Sequence, residues 1–408
     1  MLIEFSVENF KCFAEKQTLD MRPDPDITSL DENLIRTGLM YKDEDEQGKE
    51  KELLLLPSVA IYGANASGKS SLIEALVDTT ELTNQQKDFT PISDETFFFN
   101  KKPSSNALHQ IAITREGAFL DDSVVEISTC FLGSCTYSES SKKTAPLSRQ
   151  VNMEKSLPYN LDLVNTPVIN FNSFVKTLFK GYPYYVFYRN YYYLNEILEK
   201  SQPDKRGWFW LRDTNHYPLI QALLDPVQKT KLEKLLEKAD FNISNIKVES
   251  KNDGAETVYF LTFKIKGQKK RLPFRNQSQG TKQFLLIMPT IVHVLETGAV
   301  LLADELEAHL HPDLCRAIIE LFNNPETNPK GSQLIFTTHN QDFMASSLMR
   351  PDQIYFVNKD QSTGASEVYR ASDFEDFDWL DMDLTVKKAY HYGLLGSSPR
   401  VRRLTGDA

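Results

Sequence analysis

Residues Gly63-Ala64-Asn65-Ala66-Ser67-Gly68-Lys69-Ser70 spell G-x-x-x-x-G-K-[ST], the pattern of a phosphate-binding loop. The apolar run Leu53–Tyr62 precedes it, and Leu72, Ile73 and Leu76 follow at helical spacing. The loop therefore lies where a strand hands over to a helix, which commits this part of the chain to an α/β layer. That context supplies the chemistry, because successive backbone N–H groups and the positive end of the helix converge on a β-phosphate. Lys69 is expected to reach the β- and γ-phosphates, and the Ser70 hydroxyl to join a Mg2+ shell. Gly63, Ala64, Asn65, Ala66, Ser67, Gly68, Lys69, Ser70 and Ser71 are the expected binding residues for a nucleoside triphosphate.

Other short apolar runs, Ala299–Ala303, Gln333–Thr337 and Gln353–Val357, are continuous rather than alternating. Such runs suit parallel strands buried on both faces. Helical patterns lie around them at Ser70–Val77, Gly280–Leu295, Pro312–Phe322 and Gln341–Leu348. Leu2–Val7 instead alternates, as a half-exposed antiparallel strand would, and residues 107–136 read as further strands of the same lobe. Residues 174–239 look mainly helical, with Leu219, Leu223, Leu232, Leu235 and Leu236 on one apolar face. The 408 residues carry 41% hydrophobic and 25% charged side chains, ordinary for a globular chain. A net charge of −10 counts against a surface that attracts nucleic acid or anionic membrane throughout. Apolar runs of about ten residues are half of what a membrane span needs. Met1-Leu2-Ile3-Glu4-Phe5 does not open a secretion signal, and Cys12, Cys130, Cys135 and Cys315 are too scattered for a disulfide framework. A cytoplasmic protein is expected.

Three further segments carry chemistry. Val300-Leu301-Leu302-Ala303-Asp304-Glu305 ends an apolar strand in two carboxylates, at the sheet edge where α/β proteins bind ligands. Asp304 is expected to hold magnesium, and Glu305 to orient and deprotonate the attacking water. Leu334-Ile335-Phe336-Thr337-Thr338-His339 delivers a His to the same edge, where a neutral ring can contact a γ-phosphate or the water. Ser278, with Gly280, opens a helix just before the Asp-Glu strand, as an N-cap or as an anion site.

This order resembles the ABC-type ATPases of the SMC, RecF and OLD-like branch. The loop looks like their G-x-N-x-S-G-K-S form, Ser278-Gln279-Gly280-Thr281 is similar to their signature, Asp304-Glu305 to Walker B and His339 to the switch His. Phe5-Ser6-Val7-Glu8-Asn9-Phe10-Lys11-Cys12-Phe13, Leu310-His311-Pro312, Asp352–Val357 and Tyr392–Pro399 resemble more closely the RloA-like and abortive-infection ATPases of phage defence. The resemblance implies an ABC-type ATPase head: a mixed or parallel sheet core, an N-terminal antiparallel β lobe and a helical insert. The expected divisions are 1–173, 174–240 and 241–408. It implies ATP and Mg2+ as cofactors, Glu305, His339 and Lys69 as catalytic residues, and Ser70 and Asp304 as metal ligands. It also implies a head-to-tail homodimer, with Ser278 and Gly280 of one subunit closing over the triphosphate held by the other. The stretch Ala308-His309-Leu310-His311 would couple the two sites.

One departure from the family is Gln277, where a Glu usually precedes the signature Ser. The functional expectation is a switch ATPase of an anti-phage system that senses infection or controls a partner effector such as a nuclease or toxin. The alternative is a RecF- or SMC-like repair ATPase. Nucleic-acid binding is possible but not indicated: the basic stretch Lys264–Arg275 reads first as a solvated face, and the aromatic cluster Tyr182–Tyr193 as packing.

Overall fold

The structure, a computed structural model, describes residues 1–8, 10–42, 50–84, 218–239, 243–253, 256–265, 267, 270–308, 310–374, 382–393 and 395, together with the backbone of short strands between 108 and 212. In chain order, β1 (Leu2–Glu8) pairs β2 (Gln17–Asp20), β3 (Ile35–Lys42) pairs β4 (Glu50–Leu55), and β5 (Ser58–Tyr62) leads into α1 (Lys69–Asn84). An antiparallel meander follows: β6 (Leu108–Arg115), β7 (Ser123–Cys130), β8 (Ser134–Ser141) and β9 (Thr144–Arg149). The strands β10 (Asn160–Leu161), β11 (Ile169–Asn170), β12 (Tyr185–Tyr188) and β13 (Leu211–Arg212) precede α2 (Pro218–Leu224) and α3 (Pro226–Lys238). Then come β14 (Ile243–Asp253), β15 (Glu256–Ile265), β16 (Arg271–Pro273) and α4 (Gln279–Thr297). The last elements are β17 (Val300–Ala303), α5 (Pro312–Asn323), β18 (Gln333–Thr337), β19 (Ile354–Lys359), β20 (Ser366–Arg370) and α6 (Met382–His391).

The core sheet runs β12-β17-β18-β5-β19-β20, parallel throughout except for β20. Its central strands are buried along their whole length, as their continuous apolar runs demand. Successive side chains alternate between two cores. Ala60, Tyr62, Leu301, Ala303, Leu334 and Phe336 face one, with α2, α3, α4 and α5. Val59, Ile61, Val300, Leu302 and Ile335 face the other, against Leu72, Ile73 and Leu76 of α1 and Leu2, Phe5 and Val7 of β1. Each fully buried Leu, Ile or Phe contributes about 1.5–3 kcal/mol.

Several elements differ from their expected form. The run Leu53–Tyr62 is two strands, because Pro57 has no N–H to donate and the Leu56 N–H turns instead to the Met21 carbonyl at 2.7 Å. Strand β1 is antiparallel to both β2 and β6, with Ile3, Phe5 and Val7 buried on one face and Glu4 and Glu8 half-buried on the other, as expected; Ser6 of that second face is buried, 3.0 Å from the Thr18 hydroxyl. The expected helix over Gln341–Leu348 stops after one 3-10 turn at Met344, where Ala345 becomes extended ahead of the poor helix formers Ser346 and Ser347. Helices α2 and α3 fall within 174–240 as expected. The same stretch also supplies β12, a Tyr-Val-Phe-Tyr segment of high β propensity that joins the core sheet beside β17.

Buried polar groups tie the N-terminal lobe to this core. The Gln333 amide bonds both backbone groups of Leu2, accepting from its N–H at 2.6 Å and donating to its carbonyl at 2.9 Å. Arg350 donates to Asp352 at 3.0 and 2.9 Å and to the carbonyls of Ser29 and Ile27, each at 2.7 Å, and also contacts Asp31. Arg350 is 1% and Asp352 0% exposed. Replacing Arg350 by Met leaves the Asp352 carboxylate buried without its counter-charge. That substitution is expected to cost about 3–5 kcal/mol, read as a lower urea midpoint with an unchanged slope.

Candidate functional site

Parallel strands put the ends of β5, β17 and β18 on one edge of the sheet, and the site is built there. Between β5 and α1 the loop turns tightly. Gly68 has φ 114°, and a Cβ there would come within 2.6 Å of the Cys12 sulfur; one at Gly63 would lie 2.5 Å from the Val357 carbonyl. The loop rests on Cys12, Phe13 and Ser366, whose hydroxyl donates to the Ser67 carbonyl at 2.6 Å. Asn65 and Ala66 form its outer turn, and Ser71 continues the first turn of α1.

Lys69 is buried and donates to the Gly63 and Ala64 carbonyls at 2.9 and 3.0 Å. Burial lowers its pKa, against the pull of Asp304, Glu305 and Glu307. Ser70 donates to Asp304 Oδ1 at 3.1 Å, so the start of α1 and the end of β17 are joined directly. A serine hydroxyl beside an aspartate carboxylate is an all-oxygen donor set that suits Mg2+. Glu305 is exposed and left-handed at φ 52°. His339 follows β18; its backbone N–H donates to Glu307 Oε1 at 2.6 Å, and its ring is exposed. Partial burial and then Lys69 lower the imidazole pKa, against the pull of Glu307, Glu305 and Asp304.

Ser278 caps α4, accepting from the Thr281 N–H at 3.1 Å. No hydrogen bond among the described residues joins Ser278 or Gly280 to the phosphate loop. Two residues, Gly298 and Ala299, connect α4 to β17, which sets the helix antiparallel to the strand. Its 19 residues span about 28 Å while β17 spans roughly 13 Å, so Ser278 projects beyond the sheet edge. Gln277 beside it keeps a buried Nε2 without a hydrogen-bond partner among the described residues. His309, Lys266, Lys269, Tyr182 and Tyr184 lie outside the described residues.

Sequence reasoning assigns no role to Thr337 or Tyr390. Thr337 bonds both Walker B residues, and the Tyr390 hydroxyl of α6 interacts with the Gly63 backbone. For Thr337 the available signal was a hydroxyl closing an otherwise apolar buried run.

A family model described as "AAA domain, putative AbiEii toxin, Type IV TA system" matches residues 58–345, more than half of the chain. The chain belongs to this family. The match starts with β5 and ends just past His339, so it contains every expected catalytic, nucleotide and metal residue. Membership makes this a P-loop ATPase domain. No curated protein matches the chain. Among solved structures, an Smc head bound to the C-winged helix domain of ScpA is 15% identical with a TM-score of 0.50, covering 90% of this chain and 97% of that one. A Pyrococcus yayanosii Smc head with coiled coil and joint is 13% identical (TM-score 0.45; 95% and 99% covered). The recombination mediator RecF of the RecFOR pathway is 11% identical (TM-score 0.41; 90% and 98% covered). The likeness to the first is one of fold, and it agrees with the expected ABC-type head. Among the described residues no helix is long and apolar enough to cross a membrane.

Two outcomes follow from this geometry. Gly68→Ala combines a left-handed φ with a clash against Cys12, and is expected to weaken ATP binding at least about tenfold by isothermal titration. His339 should titrate below 6.5 by NMR, and its midpoint should rise in Lys69→Met. Between that midpoint and 6.5 the unfolded chain binds the extra proton, so this group's contribution to stability grows with pH and is lost as pH falls.

Proposed function

We propose that this ATPase is a magnesium-dependent switch. ATP closes two copies head-to-tail, and hydrolysis at Glu305 opens them. The direct Ser70–Asp304 contact carries this reading, since it joins the phosphate loop to the acidic strand end around one point. Ser70 and Asp304 would hold Mg2+, which would offset the charge that develops on the phosphates. Lys69 would bind the β- and γ-phosphates, Glu305 would take the proton of the attacking water, and neutral His339 would contact the γ-phosphate. Gly63 to Ser71 would cradle the nucleotide through backbone N–H groups. Ser278 and Gly280, projecting from the start of α4, would complete the partner's site.

The family description names a toxin and a toxin–antitoxin system, which favours phage defence. In that role the dimer would sense infection or control a nuclease or toxin effector, inside the cytoplasm. The likeness in fold to an Smc head keeps a repair ATPase as the alternative.

Glu305→Gln is expected to lower phosphate release about 100-fold or more, as loss of a general base does, and to elute as a stable dimer with ATP and Mg2+. A variant that stays monomeric by light scattering refutes the sandwich. Affinity purification from the native host distinguishes the two roles. A stoichiometric effector supports defence, and DNA retained in a steeply salt-dependent way supports repair.

A further inference from the structure

We propose that Thr337 is a positioning residue for the ATPase reaction: its one hydroxyl sets both the metal-holding Asp304 and the water-activating Glu305. The proposal rests on the ATPase reading above and adds to it a residue outside the expected site.

Thr337 is fully buried at the end of β18, between the strand that leads to the phosphate loop and the strand that ends in the carboxylates. Its Oγ1 donates to Asp304 Oδ1 at 2.6 Å and accepts from the Glu305 N–H at 2.7 Å. A hydroxyl has one proton and two lone pairs, and a carboxylate oxygen only accepts, so the direction of both bonds is determined. Asp304 Oδ1 is thereby shared between Thr337 and Ser70, which limits its rotation. The second bond acts on the backbone. Glu305 has φ 52°, a region few side-chain-bearing residues adopt. Its N–H ends on Thr337 Oγ1, and the next one, from Leu306, ends on the Thr337 carbonyl at 3.2 Å. Thr337 therefore holds the left-handed turn that carries Glu305 out of the line of β17 and into solvent. A valine would fill the same volume and make neither side-chain bond. A purely structural threonine would tolerate that exchange without a kinetic signature.

The test compares Thr337→Val with Thr337→Ser in the full chain, with Thr337→Ala in place of the valine variant should that unfold. Loss of a residue that orients metal-site ligands lowers metal affinity or activity about 10- to 100-fold. Thr337→Val is expected to show that fall in kcat, and Thr337→Ser to restore most of it. Independently of turnover, a fluorescent ATP analogue is titrated with Mg2+ and with EDTA. Thr337→Val should lose about tenfold in the Mg2+ titration and keep its EDTA affinity within about twofold. Wild-type kcat and Mg2+ dependence in Thr337→Val overturns the proposal, as does a Thr337→Ser variant as defective as the valine. A wild-type chain that releases no phosphate refutes the ATPase reading instead, and the Mg2+ titration then still decides the role of Thr337.

Discussion

The Thr337 hydroxyl and the Ser70 hydroxyl meet on one oxygen of Asp304, and the arrangement of the nucleotide site hangs on that junction. It exists because β18 lies between β5 and β17, all three parallel, so that three chain segments far apart in sequence end side by side. The phosphate loop comes from β5, the carboxylates from β17, and the bridging hydroxyl and His339 from β18. Covering both faces of these strands excludes water beneath the site. In that setting the bonds of buried Thr337 to Asp304 and Glu305, and of buried Lys69 to the loop carbonyls, are costly to lose.

A second set of buried polar groups makes the N-terminal lobe part of the same unit. Gln333 opens β18 and bonds Leu2 of β1. Gln353, just before β19, bonds the Ser58 carbonyl and hydroxyl at 2.9 and 3.0 Å at the start of β5. Ser58 in turn donates to Asn323 at the end of α5, at 2.7 Å. These contacts lie at the edge opposite the nucleotide loop, so the core strands are pinned at one end and functional at the other. Arg350 and Asp352 extend the pinning to the loop around Ile27–Asp31. Motifs such as Asp352-Gln353 thus have a mechanical explanation that needs no contact with nucleotide.

Much of this was legible before the structure. The G-x-x-x-x-G-K-S loop between an apolar run and a helical pattern, the Asp-Glu pair closing one apolar run and the His closing another all follow from local spacing. The continuous runs also announced strands buried on both faces. Less legible were features that depend on neighbours. Leu2–Val7 reads locally as an antiparallel strand, but not as the partner of β6, which lies far along the chain. The aromatic segment at 185–188 reads as packing until its pairing with β17 makes it an edge strand of the core sheet.

The sequence by itself determined the chemistry available: a lysine and hydroxyl at a helix start, two carboxylates, a histidine and a serine helix cap. Those choices are local, because loop conformation, helix capping and strand burial are governed by residues close along the chain. Tertiary structure alone decided how they combine. Strand order made Thr337 the neighbour of both Asp304 and Glu305 and brought Tyr390 of α6 to Gly63. Strand order is a property of non-local pairing, to which each strand contributes only its interchangeable backbone hydrogen bonds. Periodicity says that β18 is buried, but not between which partners.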